Sequence, residues 1–336
     1  MKNSIQDIFN QLFKKNNLNE KQSDLLVKKI FNGELNNIQT TIILTLLYQK
    51  GESFEEIYSF VKFLKSKSLK LKLKGSFIDT CGTGGDNKNS FNFSTATSIL
   101  LSTFDIKIIK HGNRSVTSKS GSFDVLESLG IKIFADPKKI ENFFFKNNIC
   151  FLFAPYFHAT LKNIADIRKS IPFRTIFNLL GPLLNPVKLK YQLLGVSDEK
   201  NLMTHAKCMK QLGIKKGWVV YNENGFDELT TTSNNIFVEI KDGKLKPKRK
   251  INPISLGFKL RTETELKGGS PKENAFLMRR LFDGETGAIR DNVVLNTAAA
   301  LVVCEKVNSL KEGIKLAQKN IDSGLAQKKL NKLSST

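Results

Sequence analysis

Four segments of the chain gather residue types that handle phosphates and divalent metals. Cys81-Gly82-Thr83-Gly84-Gly85-Asp86 directly follows a short apolar run. Glycines there tolerate positive φ and carry no Cβ, so backbone N–H groups can close around an anion. The segment is neither a Walker loop, which ends in Lys and Ser or Thr, nor a dinucleotide fingerprint, whose third glycine falls elsewhere. Taken alone, it is either a tight turn or an anion cradle. Asn92-Phe93-Ser94-Thr95 opens the next helical pattern. Its hydroxyls suit helix capping, and the same N-terminus suits a phosphate; both roles can hold at once. Lys110 to Ser122 (KHGNRSVTSKSGS) is the most informative stretch, with three cations, five hydroxyls and an amide between a strand and a helix. A solvated loop is the alternative, but cations flanking Gly112-Asn113 at a strand end point to a highly phosphorylated ligand. Asp227-Glu228 would be ordinary surface by itself. Beside a phosphate site the pair gains a role, because Mg²⁺ takes one or two carboxylates together with phosphate oxygens and water.

These segments need elements to hold them. Residues 1–67 read as short helices: Leu25, Leu26, Ile30 and Phe31 recur at helical spacing, Gly33 can stop that helix, and Ser53 with Glu56 forms a capping-box pattern. A Lys-rich link, 66–75, follows. From Gly75 the pattern becomes short apolar strands alternating with helices: 76–81, 106–110, 131–134, 149–153, 193–196 and 218–221 as strands, 94–103 and 121–129 as helices. That alternation implies an α/β domain with a largely parallel sheet covered on both faces, its ligands at the carboxyl ends of the strands. Helical texture returns between Phe157 and Leu180. Residues 236–262 are strand-like and polar, and 241–250 (KDGKLKPKRK) reads as a solvated, mobile segment. Helices at 271–282 and 291–306 are joined by DGETGAIR.

Composition narrows the function classes. The 336 residues are 40% hydrophobic with 25 Phe, enough to build a large core and to exclude wholesale disorder. Lys and Arg number 53 against 31 Asp and Glu, a net charge of +22. Such an excess raises a nucleic-acid or membrane-surface hypothesis. Only eight of the 53 are Arg, however, and Arg is the residue that forks onto phosphates and reads bases. The expectation is compositional drift with no nucleic-acid partner. Cys81, Cys150, Cys208 and Cys304 lie far apart, and His111, His158 and His205 show no metal spacing, which fits reduced thiols. The N-terminal segment lacks a secretory apolar core, and the most apolar stretch, Val293 to Cys304, is broken by Asn296 and Thr297. No membrane association and a cytoplasmic location are expected.

The order and spacing of GTGGD (82–86), NFST (92–95), KHGNRSVTSKSGSFDVLESLG (110–130), RTIFNLLGPLLNP (174–186) and Asp227-Glu228 closely resemble the anthranilate phosphoribosyltransferases. The resemblance extends from GELNNIQTTIILTLLYQKGESFEEI to DGETGAIRDNVVLNTAAALVV and covers nearly the whole chain. It implies a small helical domain, 1–67 joined by helices around 158–180, and a larger α/β domain, 75–336, that binds phosphoribosyl pyrophosphate. It implies transfer of phosphoribose to the amino group of anthranilate in tryptophan biosynthesis, with Mg²⁺, and a homodimer formed through the helical part. By position, the phosphoribosyl pyrophosphate residues would be Gly82, Gly85, Asp86, Ser90, Asn92, Phe93, Ser94, Thr95, Lys110, His111, Gly112, Asn113, Arg114, Ser115, Val116, Thr117, Ser118 and Ser122. Gly82, Asn113 and Arg168 would contact anthranilate, Arg168 facing its carboxylate. Ser94, Asp227 and Glu228 would hold Mg²⁺, and Lys110, Asp227 and Glu228 would be catalytic. Departures are few: Ser90 stands where Thr is usual, Phe93 replaces an aliphatic residue, and Phe157-His158-Ala159-Thr160 lacks a Pro after His.

Two other classes share the architecture. Pyrimidine nucleoside phosphorylases differ at the glycine loop and lack the KHGNR arrangement. Relatives that bind nucleic acid through a basic groove have degenerate catalytic motifs, whereas the glycine loop, KHGNR, Arg168 and the Asp-Glu pair are all intact here.

Overall fold

Side-chain caps set where the N-terminal helices begin: α1 (Ile5–Phe13), α2 (Glu20–Phe31), α3 (Asn37–Lys50) and α4 (Phe54–Lys67). Ser4, Asn19, Asn36 and Ser53 each accept the N–H three residues on, and that residue's side chain bonds back to the cap. Two of the orphan N–H groups of each first turn are thereby satisfied. The computed structural model describes residues 4–115 and 119–336.

The chain then runs β1 (Phe77–Gly82), α5 (Phe93–Leu101), β2 (Lys107–Gly112), α6 (Ser122–Ser128), α7 (Pro137–Asn147) and β3 (Ile149–Phe153). Three short helices follow: α8 (Ala154–Phe157), α9 (Ala165–Ser170) and α10 (Ile176–Leu180). The remainder is β4 (Tyr191–Gly195), α11 (Asn201–Gln211), β5 (Lys216–Asn222), β6 (Asn235–Lys241), β7 (Lys244–Ile251), α12 (Pro271–Phe282), α13 (Ala288–Val303), α14 (Leu310–Asp322) and α15 (Leu325–Ser335). The chain divides into two units. The first is the segment through Lys70 with Pro155–Pro186; the second is Leu71–Ala154 with Val187–Thr336.

The helical unit is built around aromatic edges: the Phe60 ring meets Phe177 at 5.4 Å and Phe31 at 6.5 Å. A buried ion pair, Lys50 to Glu56 at 2.6 Å, ties the end of α3 to α4, and the other Glu56 oxygen accepts the Leu18 N–H. In the α/β unit one seven-stranded sheet has the order β3-β2-β1-β4-β5-β6-β7. The first five are parallel; β6 and β7 join antiparallel. The chain leaves β1 toward β2 and β3 on one side and later returns to β4 and β5 on the other. The order therefore reverses at β1/β4, and the crevice beyond the carboxyl ends of those strands is the expected ligand position. Helix α13 is buried nearly all round, as a core helix must be. Among the described residues no helix is long and apolar enough to cross a membrane.

Two local expectations are corrected. Residues 131–134 form no strand: the Ile131 N–H turns back to the Leu126 carbonyl, and Phe134 packs on Phe143 of α7. With β3 already forming that edge of the sheet, the segment serves as an apolar connector. Residues 241–250, expected to be solvated and mobile, are solvated but held in the sheet. They form the β6–β7 hairpin, whose turn places Asp242 at φ +53° and Gly243 at +72°, both on the side that two-residue hairpins require.

Candidate active site

The site is assembled at the sheet's reversal point from the ends of β1, β2, β4 and β5. In β1 the side chains of Phe77 to Thr80 are buried, so the strand delivers Gly82 into the crevice from a fixed base. Gly84 and Gly85 then adopt φ of +66° and +69°, the conformation that turns successive N–H groups the same way. The Gly84 N–H donates to Oδ2 of Asp227 at 2.6 Å. A Cβ at Gly82 would lie 2.0 Å from that same Oδ2. Glycine is thus required at 82 by the approach of the Asp227 loop.

Lys110, on β2, is 1% exposed. Its Nζ donates to the Thr80 carbonyl at 2.6 Å and to the Ser94 hydroxyl at 3.2 Å. A buried ammonium is tolerated only with such partners. Asn92 occupies the N-cap of α5 without capping it, since its side chain instead accepts from Asn274 at 2.8 Å and donates to the Ser120 carbonyl. Within the first turn, Phe93 and Thr95 are buried, and their N–H groups donate to the Phe91 and Asn92 carbonyls. Ser94, between them, reaches the crevice: its hydroxyl accepts from Lys110 at 3.2 Å, and its N–H lies 3.3 Å from Oε1 of Glu228. Desolvation, then the charges of Asp227 and Asp86, push the Glu228 carboxyl well above the usual range, against the pull of the Ser94 N–H and Lys110. Three carboxylates, one ammonium and a helix N-terminus therefore converge.

The loop after β2 is shaped by α6. Asp124 accepts the Ser115 and Gly121 N–H groups at 3.0 and 2.8 Å, and the Ser122 hydroxyl donates to the Asn113 carbonyl. Arg114 pairs with Glu127 at 2.6 Å and lies over the Phe153 ring, so its guanidinium is turned to α6 and β3. The His111 N–H faces Asp79. Gly112 packs against Ser122, and Ser90 forms an isolated bridge with Lys267. Val116, Thr117 and Ser118 lie outside the described residues. Arg168, in α9 of the helical unit, holds its guanidinium 5.4 Å from the Phe177 ring, and burial lowers its pKa.

Mg²⁺ fits this donor set. It takes hard oxygen ligands and is commonly completed by substrate phosphates and water. Asp227, Glu228 and the Ser94 hydroxyl are oxygen donors, and the mutual repulsion that raises Glu228 is relieved by a cation. Among the described residues no group of three or more His, Cys, Asp or Glu is arranged as a cage.

Sequence reasoning missed Asp79, Asp124, Asn274 and Gly195. Asp79 left a signal, a carboxylate within an otherwise apolar strand. Asp124 stands three residues after Gly121, a capping position. Asn274 and Gly195 left none, because their partners lie far along the chain: a Cβ on Gly195 would sit 1.5 Å from the Asp227 carbonyl oxygen.

Fold and site together define a sugar-phosphate transferase, and residues 74–327 and 6–68 match the glycosyl transferase family a/b domain and helical bundle domain. The chain is 44% identical over 324 residues to the anthranilate phosphoribosyltransferase of Petrotoga mobilis, covering 96% of this chain and 94% of that one. It is 40% identical to that of Methanobrevibacter smithii, covering 94% of each. It resembles the solved anthranilate phosphoribosyltransferase of Thermus thermophilus with a TM-score of 0.88 at 33% identity, over 97% of this chain and 98% of that one. The Saccharomyces cerevisiae enzyme in complex with PRPP and Mg gives a TM-score of 0.84 at 27% identity, over 94% and 93%. The chain belongs to the anthranilate phosphoribosyltransferase family.

Proposed function

We propose that the protein transfers the phosphoribosyl group of 5-phosphoribosyl 1-pyrophosphate to the amino group of anthranilate, giving N-(5-phosphoribosyl)anthranilate and pyrophosphate in tryptophan biosynthesis. The observation that carries this reading is the convergence of buried Lys110, Ser94, Asp227 and Glu228 at the sheet's reversal point.

At an anomeric carbon the transition state has oxocarbenium character, and the departing pyrophosphate carries the developing charge. Stabilising that charge is the chief demand. Lys110, fixed by Thr80 and Ser94, meets it beside the glycine loop of Gly82 to Asp86. Ser94, Asp227 and Glu228 would hold Mg²⁺, which would supply further positive charge to the phosphate oxygens when bound. The described flanks of the loop after β2, Asn113 to Ser115 and Lys119 to Ser122, take the rest of the donor. The aromatic amine of anthranilate is neutral at pH 7 and already nucleophilic, so holding it in line suffices. No general base is required, and His111 shapes the acceptor pocket. Arg168 receives the anthranilate carboxylate.

The same reading divides the chain into a helical domain, 1–67 completed by 158–180, and an α/β domain, 75–336; the two units support that division. It makes the protein a homodimer through its helical part, supported there by exposed Phe13, Ile38 and Tyr48, the last stacked on Phe173 at 4.9 Å. It places the protein in the cytoplasm, which agrees with four free cysteines.

The test is direct. Anthranilate fluorescence should fall when phosphoribosyl pyrophosphate and Mg²⁺ are added to the full chain, and a chelator should stop it. A folded protein that leaves anthranilate untouched, or that only cleaves a pyrimidine nucleoside with phosphate, would overturn the reading.

A further inference from the structure

Helix α13 carries two asparagines one turn apart, Asn292 and Asn296, that are 0% and 4% exposed. Asn is a weak helix former, and a buried carboxamide is costly unless every group is bonded. Asn296 also interrupts the most apolar stretch of the chain. Their partners supply the reason.

The Asn296 carboxamide takes both backbone groups of Leu229: Oδ1 accepts its N–H at 3.2 Å, and Nδ2 donates to its carbonyl at 2.7 Å. An amide side chain thus pairs with the loop as a neighbouring strand would. Two residues on, Oδ1 of Asn292 accepts the Thr231 N–H at 2.8 Å, and its Nδ2 donates to the Thr231 hydroxyl at 3.1 Å. Thr230, between them, faces the other way, and its N–H and carbonyl both pair with Asn235 at 2.9 Å. Three successive backbone N–H groups, immediately after Asp227-Glu228, therefore end on three buried asparagines. The remaining Nδ2 hydrogens return to α13's own carbonyls, at Ala288 and Asn292.

We infer that Asn292 and Asn296 are positioning residues for the reaction, anchoring the 229–231 backbone to α13 so that the Asp227 and Glu228 carboxylates stand opposite Gly84 and Ser94. Helix α13 packs on α5, whose first turn bears Ser94, so one rigid element fixes both halves of the oxygen set. Glycine at 82 and 195 lets the loop approach the strand ends; the asparagines keep it there. The inference rests on the phosphoribosyl transfer reading and assigns the loop's placement to residues that touch no reactant.

The experiment compares wild type with Asn296→Leu, Asn292→Ala and the milder Thr231→Val, which removes only the hydroxyl partner. Pyrophosphate binding is measured by calorimetry with and without saturating Mg²⁺, beside the Mg²⁺ concentration for half-maximal turnover. Loss of groups that orient metal ligands typically costs about 10- to 100-fold in metal affinity or activity. Asn296→Leu and Asn292→Ala should shift the Mg²⁺ half-point and the Mg²⁺-dependent part of pyrophosphate affinity by about tenfold or more, leaving Mg²⁺-free binding within about twofold. Thr231→Val should move the same quantities less, in the same direction. Asn320→Ala, which removes a buried asparagine bonded to Thr103 on another helix, should lower stability without moving either quantity. Should Asn296→Leu fail to fold, Thr231→Val carries the decision. Variants that lose stability yet keep wild-type Mg²⁺ and pyrophosphate curves would overturn the positioning role. A wild-type chain whose pyrophosphate binding ignores Mg²⁺ would overturn the transfer reading itself, and the inference with it.

Discussion

Replacing Gly195 by Ala isolates the placement of the Asp227 loop from every other property of the site. Gly195 ends β4, paired with Gly82 of β1 and Val220 of β5, and its φ lies outside the left-handed region. Alanine there carries no backbone strain, so the whole effect comes from one methyl group. That methyl would sit 1.5 Å from the Asp227 carbonyl oxygen and 2.4 Å from its carbon, where ordinary contact begins at 3.4 Å. The Asp227 backbone must retreat by about 2 Å, which breaks the 2.6 Å bond from the Gly84 N–H. A misplacement of about 1 Å can cost on the order of 100-fold in rate, about 3 kcal/mol at 1.36 kcal/mol per decade. Overpacking alone costs about 1–3 kcal/mol of stability, which leaves most folded domains folded. The expected result is a folded protein whose kcat/KM, read from anthranilate fluorescence, falls by about 100-fold or more. Gly181→Ala is the control, because nothing lies within 4 Å of its Cβ position. A Gly195→Ala protein within about threefold of wild type, well short of that loss, would refute the claim that the loop's position governs turnover.

Other consequences are equally direct. Asp227→Asn combined with Glu228→Gln should abolish Mg²⁺-dependent turnover with the far-ultraviolet circular dichroism unchanged; activity that still follows a Mg²⁺ titration would remove these residues from the metal site. Arg168→Ala should raise the KM for anthranilate; a rise for phosphoribosyl pyrophosphate instead would reassign the arginine. Burial and then the nearby lysines, against the bond to the Leu184 carbonyl, lower the His158 pKa from 6.5 to about 4. Between those values the unfolded chain binds more protons, so the neutral imidazole's contribution is complete above pH 6.5 and is lost as pH falls toward 4. The loss approaches about 3 kcal/mol at 1.36 kcal/mol per pKa unit, and His158→Gln should flatten that part of the urea-unfolding profile; an unchanged slope would contradict the assignment.

What could be read from the residues divides by range. The N-terminal helices were legible because Ser53 and Glu56 meet within one turn. The glycine loop, Ser94 and Lys110 were legible because each sits at the end of its own strand or the start of its own helix. Residues 131–134 misled because an apolar run specifies burial and says nothing of hydrogen-bonded neighbours. The lysines of 241–250 mark it correctly as solvated, but an edge strand is solvated too, so they say nothing of mobility. The loop's anchors were invisible for a different reason: Asn296 meets Leu229 across 67 residues and Asn274 meets Asn92 across 182. Local spacing carries no trace of a pairing that depends on which strands become neighbours. Asn296 breaks an apolar stretch too short to span a membrane, and that polar intrusion is itself the mark of a bonded partner.

The basic excess follows the same logic of position. Lys110 is one buried cation, held at the crevice by the Thr80 carbonyl and the Ser94 hydroxyl. The lysines at 244, 246, 248 and 250 belong to β7, which pairs with β6 on one side only and forms the open edge of the sheet. An exposed edge offers unpaired N–H and C=O groups to any other chain, and lysine and proline are the usual means of discouraging that pairing. The strand's sequence, KLKPKRKI, has both. Its ion pairs, Lys248 to Glu199 at 2.7 Å and Lys250 to Glu223 at 2.6 Å, are exposed and worth about 0–1 kcal/mol each, too little to explain the composition as a stability device. The edge accounts for these particular lysines: positive charge there protects a strand that has a neighbour on one side only.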